Sequence, residues 1–335
     1  MPSDGGSTGS HHGPDGRFRN PWPDSGTHGL RDVARMLWEQ RRGERAPTPA
    51  RGSFPTAEPT IVRPRADRAI ATATWMGHST VLLQVGGLNV LTDPVWSERA
   101  SPVQWAGPRR VMAPPVPLEQ LPPLDVVLLS HSHYDHLDKP TVQRLARAHP
   151  EATWVAPLKL GAYLRGFGVR DVVELDWWQS ATVKGATVTA TPARHFSARR
   201  AGDRNATLWC GFAMEVAGRR AWFAGDTASH PEFRRIGERC GPFDLMLMPI
   251  GAYEPRWFMR IVHVNAEEAV AAYVEAASGW PAAPAPQMLA LHWGTFRLTS
   301  EPMDEPPRRA GVEWARRGLD PELLWVAAFG ETRGW

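Results

Sequence analysis

The feature that most constrains this chain is a cluster of four potential metal ligands packed into residues 131–136. His131, His133, Asp135 and His136 follow a short apolar run at residues 125–129, which is typical of a buried strand. A strand fixes where the chain enters the loop, and a sharp loop lets alternate side chains converge on one point. Imidazole nitrogens and carboxylate oxygens are the usual ligands of zinc, with bonds of about 2.0–2.2 Å. The cluster therefore predicts a metal site at the end of a strand.

Other parts of the chain must complete the coordination, because one short loop cannot surround two metal ions. Three candidates each follow an apolar run, and they are His195, Asp226 and His292. Asp226 lies between Gly225 and Thr227, in a tight turn that would point its carboxylate outward. Each residue alone could be structural, but together they form a consistent set of late ligands. The sequence thus predicts that several strand ends meet at one metal centre.

The main part of the chain alternates strand-like and helix-like segments. Residues 69–75, 80–85 and 88–92 predict a three-stranded meander, in which Gly86 and Gly87 form the second turn. Residues 139–149 predict a helix directly after the ligand loop. Further strands are expected near residues 155, 173, 188, 212 and 222, with helices near residues 233, 268 and 314. Strands flanked by helices throughout predict two sheets packed face to face, with the helices outside.

The order of these motifs resembles that of a known superfamily. H-x-H-x-D-H, a lone His, a Gly-Asp-Thr turn and a late His resemble the metallo-β-lactamase superfamily of binuclear metallohydrolases. Several longer segments are similar to the N-acylphosphatidylethanolamine-hydrolysing phospholipase D family. These segments are residues 75–78, 91–94, 174–178, 243–245, 249–259 and 292–296, and the similarity extends from Ala69 to Glu331.

The resemblance implies a fold and a set of ligands. The fold belongs to the α/β class and is an αβ/βα four-layer sandwich, in which helices flank two mixed β-sheets. Two Zn²⁺ ions per chain are implied. The implied ligands of the first ion are His131, His133 and His195, those of the second are Asp135, His136 and His292, and Asp226 bridges both ions.

The resemblance also implies a zinc-dependent hydrolase of the phospholipase D type. A metal-bound hydroxide would attack the phosphorus of N-acylphosphatidylethanolamine or a related phospholipid, releasing N-acylethanolamine and phosphatidic acid. Asp135 and Asp226 are the implied catalytic residues, and Asp93 would brace the ligand loop from the end of a neighbouring strand. Ser130 and Ser132 lack a free base, so no serine nucleophile is expected.

Residues near the predicted ligands are candidates for substrate contact or for support of the centre. His78 fits a structural histidine better than a substrate contact. His263 fits a structural role and a phosphate contact equally well. Arg256 and Trp257 belong to a segment that is either a loop packed on the core or a groove, in which acyl chains bind while the arginine contacts phosphate.

Two other functions stay open on the sequence alone. The same scaffold could hydrolyse a thioester, a lactone or another carboxyl ester, because only the chemistry of the groove separates these reactions. A non-catalytic metal-binding regulatory protein is the third interpretation. The complete ligand set argues against it, since a retired site should have lost Asp226 or His292.

Composition excludes several classes of protein. The chain has 335 residues, of which 42% are hydrophobic, and this is ample for one large enzyme domain. Its two cysteines, Cys210 and Cys240, form no C-x-x-C pair, so a disulfide framework is not expected. No apolar run approaches the ~20 residues that span a bilayer and no secretory signal is visible, so we expect a cytoplasmic protein. The net charge of +3 belongs entirely to the first 66 residues, which argues against a nucleic-acid partner for the rest.

The N-terminal region predicts two zones before the hydrolase domain of residues 67–335. Residues 1–29 are rich in Gly, Ser, Pro, Asp and His and predict a disordered tail, in which His11 and His12 have adventitious metal binding as their alternative role. Residues 30–66 comprise an amphipathic helix over residues 30–42 and a Pro- and Arg-rich linker. The helix either packs on the catalytic domain or lies on an anionic membrane surface. The expected partner is a phospholipid or another small phosphodiester or ester, and a homodimer stays open.

Overall fold

The computed structural model describes residues 10–22, 28–43 and 46–335, and this part of the chain contains fourteen strands in two sheets. The first six strands are β1 (Ala71–Gly77), β2 (Thr80–Val85), β3 (Leu88–Thr92), β4 (Val126–Leu128), β5 (Thr153–Pro157) and β6 (Asp171–Leu175). The others are β7 (Ser180–Val183), β8 (Ala186–Thr191), β9 (Gly211–Val216), β10 (Arg219–Phe223), β11 (Leu245–Pro249), β12 (Gln287–Leu291), β13 (Leu324–Trp325) and β14 (Thr332–Gly334). The strand orders are β14-β1-β2-β3-β4-β5-β6 and β13-β12-β11-β10-β9-β8-β7.

Each sheet is antiparallel on one side and parallel on the other. In the first sheet β3, β4, β5 and β6 run parallel, and in the second sheet β10, β11, β12 and β13 do so. The carboxyl ends of parallel strands lie at one edge of a sheet, where the connecting loops form a crevice. The loops after β3, β4, β10 and β12 therefore come together and carry most of the predicted ligands.

Helices cover the outer faces of the sheets, as the sequence predicts for the sandwich. Within the described residues the α-helices are α1 (Leu30–Arg42), α2 (Lys139–Ala148), α3 (Gly161–Gly166), α4 (Phe233–Cys240), α5 (Arg256–Met259), α6 (Ala266–Ala277) and α7 (Glu305–Arg316). Asn265 caps α6, because its side chain accepts a hydrogen bond from the N–H of Glu268 at 2.9 Å. None of these described helices combines the length and the apolar character needed to cross a membrane.

The central strands are apolar on both faces because both faces are covered. Val81, Leu83 and Val85 of β2 lie in the core between the two sheets. Leu82 points the other way and joins a second core, which also contains Leu145 of α2. A strand that is buried on both faces appears in the sequence as a continuous apolar run. The predicted sandwich of two mixed sheets with outer helices is thereby confirmed.

The end of the chain returns to the first sheet. β14 pairs antiparallel with β1, and Ala73 lies opposite Arg333. Just before β14, Phe329 is buried and its ring centroid lies 4.3 Å from that of Trp75. No sequence pattern predicts this strand, because three residues are too few to show periodicity.

Residues 10–22 pack on the hydrolase domain, whereas the sequence predicts a disordered tail over residues 1–29. Phe18 and Trp22 are only 3% and 6% exposed. The N–H of Phe18 donates to the carbonyl of Asn205 at 2.8 Å, and Trp22 stacks on Trp177 with ring centroids 5.6 Å apart. Two aromatic side chains supply the apolar surface that orders this polar stretch. Residues 1–9 and 23–27 lie outside the described residues.

The helix predicted over residues 30–42 is present as α1 and contacts the domain through α5. Glu39 accepts a hydrogen bond from Trp257 Nε1 at 2.8 Å, and the Arg35 guanidinium lies 4.4 Å from the ring centroid of Trp257. Trp38 points elsewhere and is 53% exposed. The helix therefore packs on the domain, as one of the two interpretations expects, and still presents an aromatic side chain to solvent.

Candidate metal centre

Asp93 holds the base of the ligand loop. It directly follows β3, and its Oδ1 accepts a hydrogen bond from the N–H of Ser130 at 2.7 Å. Its Oδ2 accepts one from Ser130 Oγ at 2.5 Å and one from His136 Nδ1 at 2.6 Å. Because Nδ1 of His136 carries the donated proton, Nε2 is left to bind a metal. A carboxylate in this position fixes the tautomer and orientation of a ligand, which is the bracing role expected of Asp93.

Three imidazoles form the first group of candidate ligands, here named the three-imidazole cluster. His131 Nε2 lies 2.8 Å from His133 Nδ1, and His195 Nε2 lies 3.1 Å from the same atom. The second nitrogen of His195 donates to the carbonyl of Val262 at 2.8 Å. His131 Nδ1 lies 2.9 Å from Ser130 Oγ. These two contacts at Nδ1 orient the Nε2 atoms of His195 and His131 toward His133.

Asp135, His136 and His292 form the second group, here named the carboxylate cluster. Asp135 Oδ2 lies 3.5 Å from His136 Nε2 and 3.6 Å from His292 Nε2. His78 joins this group, because its Nε2 lies 3.0 Å from the same carboxylate oxygen. The structure therefore brings together the residues predicted for the second ion and adds one imidazole.

Asp226 lies between the two clusters. Its Oδ2 is 3.1 Å from the Nε2 atoms of both His136 and His292, and 3.8 Å from those of both His131 and His195. The turn that presents it requires a glycine before it. Gly225 has a φ of +62°, and a Cβ there would lie 2.8 Å from the carbonyl oxygen of Cys210. One carboxylate thus faces both clusters, as a bridging ligand would.

Several atoms at the centre are buried without a hydrogen bond to any described residue. They are His136 Nε2, His292 Nε2 and Asp226 Oδ1, all on side chains that are at most 2% exposed. An unsatisfied buried polar group costs about 1–3 kcal/mol, and one shared cation would satisfy several such groups together. In each cluster the ligand atoms lie within 4.8 Å of one another. The residues present therefore fit a metal that takes nitrogen and oxygen ligands.

Burial and charge give the two clusters different protonation. Burial, assisted by His195, lowers the pKa of His133 to about 3. Burial also lowers the pKa of His195 to about 4, against the pull of Asp226. It acts in the same direction on His292, but Asp226 and Asp135 outweigh it and raise the pKa of His292 to about 9. Burial also opposes protonation of His136, but Asp226 and the other carboxylates outweigh it and raise the pKa of His136 well above its ordinary value. Three neutral imidazoles thus face a cluster in which two protonated imidazoles lie among carboxylates.

Three residues of the centre have a strained backbone. His78, Asp93 and His292 have left-handed φ values of 53°, 31° and 64°. Such a conformation costs a non-glycine residue of the order of 1–3 kcal/mol and persists where surrounding contacts enforce it. Here the N–H of His78 donates to Thr295 Oγ1 at 2.6 Å, and the N–H of His292 donates to the carbonyl of His78 at 3.1 Å. With this backbone the side chains of His78 and His292 face Asp135 and Asp226.

His78 and His263, the two histidines expected near the ligands, both lie next to them. The ring centroid of His78 lies 4.1 Å from that of His292. His263 Nε2 lies 4.0 Å from Asp226 Oδ2, and its ring centroid is 5.0 Å from that of His195. His78 therefore contacts the carboxylate cluster, whereas His263 lies near Asp226 and close to the rings of both His195 and His292.

The side chains of Arg256 and Trp257 form their hydrogen bonds with residues other than the predicted ligands. Arg256 Nη1 donates to the carbonyl of His263 at 2.7 Å, and the same guanidinium pairs with Glu268. Trp257 bonds to Glu39 of α1. In this arrangement the guanidinium holds the segment that carries His263. A phosphate contact, one of the two interpretations of this segment, stays a prediction.

Sequence motifs missed two residues that hold the ligand loop. Arg199 Nη1 donates to the carbonyl of Ser132, within the ligand loop, at 2.8 Å and to that of Leu137, directly after it, at 2.7 Å. Phe196 packs edge-on against His133, with ring centroids 4.4 Å apart. The local signal is weak: Phe196 directly follows His195, and Arg199 lies a little further along the same segment. Bonds to backbone carbonyls and ring packing across the fold leave no residue pattern.

Comparisons with known proteins agree with the fold and the site. A family model described as "Beta-lactamase superfamily domain" matches residues 88–293. An uncharacterized protein of Mycobacterium tuberculosis is 45% identical over 316 residues, covering 93% of this chain and 81% of its own length. N-acyl-phosphatidylethanolamine-hydrolyzing phospholipase D 1 of Caenorhabditis elegans is 42% identical over 245 residues, covering 70% of this chain and 67% of its own. The solved structure of a possible metal-dependent hydrolase from Veillonella parvula has a TM-score of 0.62 and 17% identity, covering 79% of this chain and 100% of that one.

The chain therefore belongs to the metallo-β-lactamase superfamily, as its motifs predict. It is a metal-dependent hydrolase of that superfamily, and its relatives include a phospholipase that hydrolyses N-acyl-phosphatidylethanolamine. The Veillonella structure supports the fold alone, given its low identity.

Proposed function

We propose that this protein is a zinc-dependent phosphodiesterase of the phospholipase D type, which acts on N-acylphosphatidylethanolamine or a related phospholipid. The observation that carries the proposal is the convergence of two ligand clusters on Asp226, in a chain with a phospholipase relative of this specificity. The products are N-acylethanolamine and phosphatidic acid.

Two zinc ions suit the donors of the centre. The three-imidazole cluster would hold one and the residues of the carboxylate cluster would hold the other, with Asp226 close to both. Bound zinc supplies Lewis-acid chemistry to the phosphodiester and lowers the pKa of water toward ~7. The protein's own contribution is to orient the substrate and to manage the proton.

Asp135 is the acidic group of the centre that water reaches. Its side chain is 14% exposed, whereas that of Asp226 is 2% exposed. His78 Nε2 fixes the orientation of the Asp135 carboxylate from 3.0 Å. Burial opposes ionisation of Asp135, but His136 outweighs it and holds its pKa well below the usual range. The carboxylate therefore stays ionised and can orient water by accepting its hydrogen bond.

His263 is the proposed contact to the phosphate. It lies beside Asp226, and its Nδ1 is buried without a hydrogen-bond partner among the described residues. Burial lowers the pKa of His263 well below its ordinary value, so the neutral ring donates a hydrogen bond rather than supplying charge. Arg256 supports this role by holding the His263 backbone.

A long-chain phospholipid also requires contact with a membrane surface. α1 offers Trp38, which is 53% exposed, and the Arg42 guanidinium lies 4.6 Å from its ring centroid. Tryptophan and arginine suit an anionic interface, where each basic side chain contributes about 1 kcal/mol. α1 also contacts α5 through Trp257, close in sequence to His263. This helix is the proposed site of peripheral membrane contact.

The reaction is tested by incubating zinc-loaded protein with N-acylphosphatidylethanolamine in ¹⁸O-labelled water, with the Asp226→Ala variant as control. The wild-type protein should release N-acylethanolamine and phosphatidic acid, with the label in the phosphate. Label in the alcohol would indicate attack at carbon and reject the phosphodiesterase. Turnover of thioesters or lactones without phosphodiester hydrolysis would instead assign the carboxyl hydrolase.

The membrane contact is tested by the Trp38→Ser variant. Activity on anionic phospholipid vesicles should fall severalfold, while activity on a short-chain soluble phosphodiester should be retained. Val312→Ser is the matched control, because Val312 is an exposed apolar residue (71%) on another helix, α7. Equal losses on both substrates would show that α1 serves only to stabilise the domain.

A further inference from the structure

Another group of side chains that could bind a metal lies where the N-terminal segment meets the turn after β6, outside the two clusters of the catalytic centre. His11 Nε2 lies 2.6 Å from Asp176 Oδ1, and His12 Nε2 lies 2.7 Å from Asp176 Oδ2. The ligand atoms of the three residues lie within 4.8 Å of one another. Asp176 directly follows β6, so residues that are 164 positions apart in the chain meet here.

Surrounding contacts hold each of the three side chains in place. The ring of His11 stacks on Trp177, with centroids 4.3 Å apart and planes at 20°. His12 packs edge-on against Phe18 at 5.2 Å. Asp176 Oδ1 accepts a hydrogen bond from the N–H of Trp177 at 2.8 Å. Support of this kind, outside the ligands themselves, keeps a metal site in the geometry required for binding.

The two histidines are presented by a folded hairpin. The N–H of Arg19 donates to the carbonyl of His11 at 2.9 Å, and the N–H of Gly13 donates to the carbonyl of Arg17 at 2.7 Å. Phe18, which is 3% exposed, anchors the hairpin in the core between the sheets. The positions of both imidazoles are thus set before an ion arrives, which reduces the entropy lost on binding.

Two imidazoles and one carboxylate are a ligand set that suits zinc and similar divalent transition metals. The side chains of His11 and Asp176 are each 19% exposed and that of His12 is 47% exposed. An ion can therefore enter from solvent and retain water as a further ligand. Both Nε2 atoms already face the two oxygens of one carboxylate, so a small adjustment places all three donors around one ion.

We propose that His11, His12 and Asp176 form an auxiliary binding site for Zn²⁺ or a similar divalent transition metal, separate from the catalytic centre. The ion fastens the N-terminal hairpin to the turn after β6. The same segment carries Asn20, whose Nδ2 donates to the carbonyl of His195 at 2.8 Å. Occupation of the auxiliary site therefore stabilises a backbone contact to a residue of the three-imidazole cluster.

The test compares the zinc content of four full-length proteins after equilibration with the same free Zn²⁺ concentration. These are the wild type, His12→Gln, Asp176→Asn and Asp15→Asn. Gln can still donate a hydrogen bond to Asp176, and Asp15 is an exposed carboxylate of the same hairpin that stands outside the site. We expect His12→Gln and Asp176→Asn to hold one zinc fewer per chain than the wild type and Asp15→Asn. Equal zinc content in the wild type and His12→Gln would overturn the proposal, whatever Asp176→Asn shows.

A second comparison separates this site from the proposed function. In the Asp226→Ala background the catalytic centre should lose its metal, whereas the auxiliary ion should remain and should be removed by adding His12→Gln. Co²⁺ in place of zinc provides an independent readout, because its absorption spectrum should lose one component in His12→Gln. Absence of any His12-dependent component would reject the auxiliary site and leave the assignment of the catalytic centre untouched.

Discussion

The three-imidazole cluster and the carboxylate cluster both lie next to Asp226. Each cluster combines residues of the loop after β4 with an imidazole from the second sheet. The loop after β4 supplies His131 and His133 to the first cluster, and Asp135 and His136 to the second. The second sheet then adds one imidazole to each, with His195 after β8 and His292 after β12. A single six-residue motif therefore contributes to both clusters, and each cluster gains one imidazole from the opposite sheet.

The two clusters differ most in the carboxylates around them. Asp226 Oδ2 lies 3.1 Å from His292 Nε2 but 3.8 Å from His195 Nε2, and Asp135 belongs only to the second cluster. Burial lowers the pKa of His195 to about 4, whereas the nearby carboxylates overcome burial and raise the pKa of His292 to about 9. The same type of residue is therefore held neutral in one cluster and protonated in the other. The four predictions below test whether the clusters differ in the way these charges require.

The largest effect is expected for Asp226→Ala. Removing the shared carboxylate should deplete both clusters of metal and lower hydrolytic activity by several orders of magnitude, because neither ion retains its full ligand set. Elemental analysis of the purified variant checks this. Full occupancy in Asp226→Ala would contradict a bridging role.

His131→Ala should break the symmetry between the clusters. It removes an imidazole from only one of them, so we expect loss of one metal equivalent per chain and retention of the other. His149→Ala is a matched control, since that histidine is partly exposed and bonds to the N–H of Leu124 outside the centre. If His131→Ala emptied both clusters, the two positions would have to fill cooperatively rather than separately.

The pH dependence of metal binding should differ between the clusters. Below the raised pKa of His292, about 9, a metal must displace a proton to enter the carboxylate cluster. The pKa of His136 in the same cluster is raised as well, so from about pH 8 to about pH 6 the affinity should fall about 100-fold for each proton displaced. The three-imidazole cluster should change little over this range, because burial lowers the pKa of His133 to about 3. Titration with Co²⁺ at several pH values measures both, and parallel curves would reject the charge difference.

The smallest of these effects is expected for Asp93→Asn. The amide would place an N–H group opposite His136 Nδ1–H, where the wild type has an accepting oxygen at 2.6 Å. Loss of such a supporting carboxylate typically weakens metal binding by about 10–100-fold, and the carboxylate cluster should be affected more. Ser130→Ala is the comparison, because Ser130 Oγ contacts His131 of the other cluster at 2.9 Å. Equal weakening of both clusters in Asp93→Asn would show that Asp93 supports the loop as a whole.

Much of the fold follows from local sequence patterns. The apolar runs of β2 and β3 and the helical periodicity of α1 predict the observed bounds. The two mixed sheets with outer helices are also confirmed. These features are predictable because the periodicity of apolar residues within a short window determines which backbone conformation can bury them. The residue types of the ligand loop likewise determine that metal chemistry is favoured there.

Local sequence patterns do not predict the contacts between distant parts of the chain. Residues 10–22 look like a disordered tail by composition, yet Phe18 and Trp22 find apolar surface on the domain. The sequence also does not show that the Arg256 guanidinium pairs with Glu268 and donates a hydrogen bond to the His263 carbonyl. In each case the outcome depends on which partner the folded chain places within reach.

The sequence by itself determined the sandwich of two sheets, the strand that enters the ligand loop and the residue types suited to a metal. Only the tertiary structure decided that His78 meets Asp135 at 3.0 Å, that Asp226 Oδ2 faces both clusters and that His292 differs from His195 in protonation. The reason is physical. Local patterns reflect burial within one element, whereas distances between charges are set when strand ends from both sheets meet at one edge.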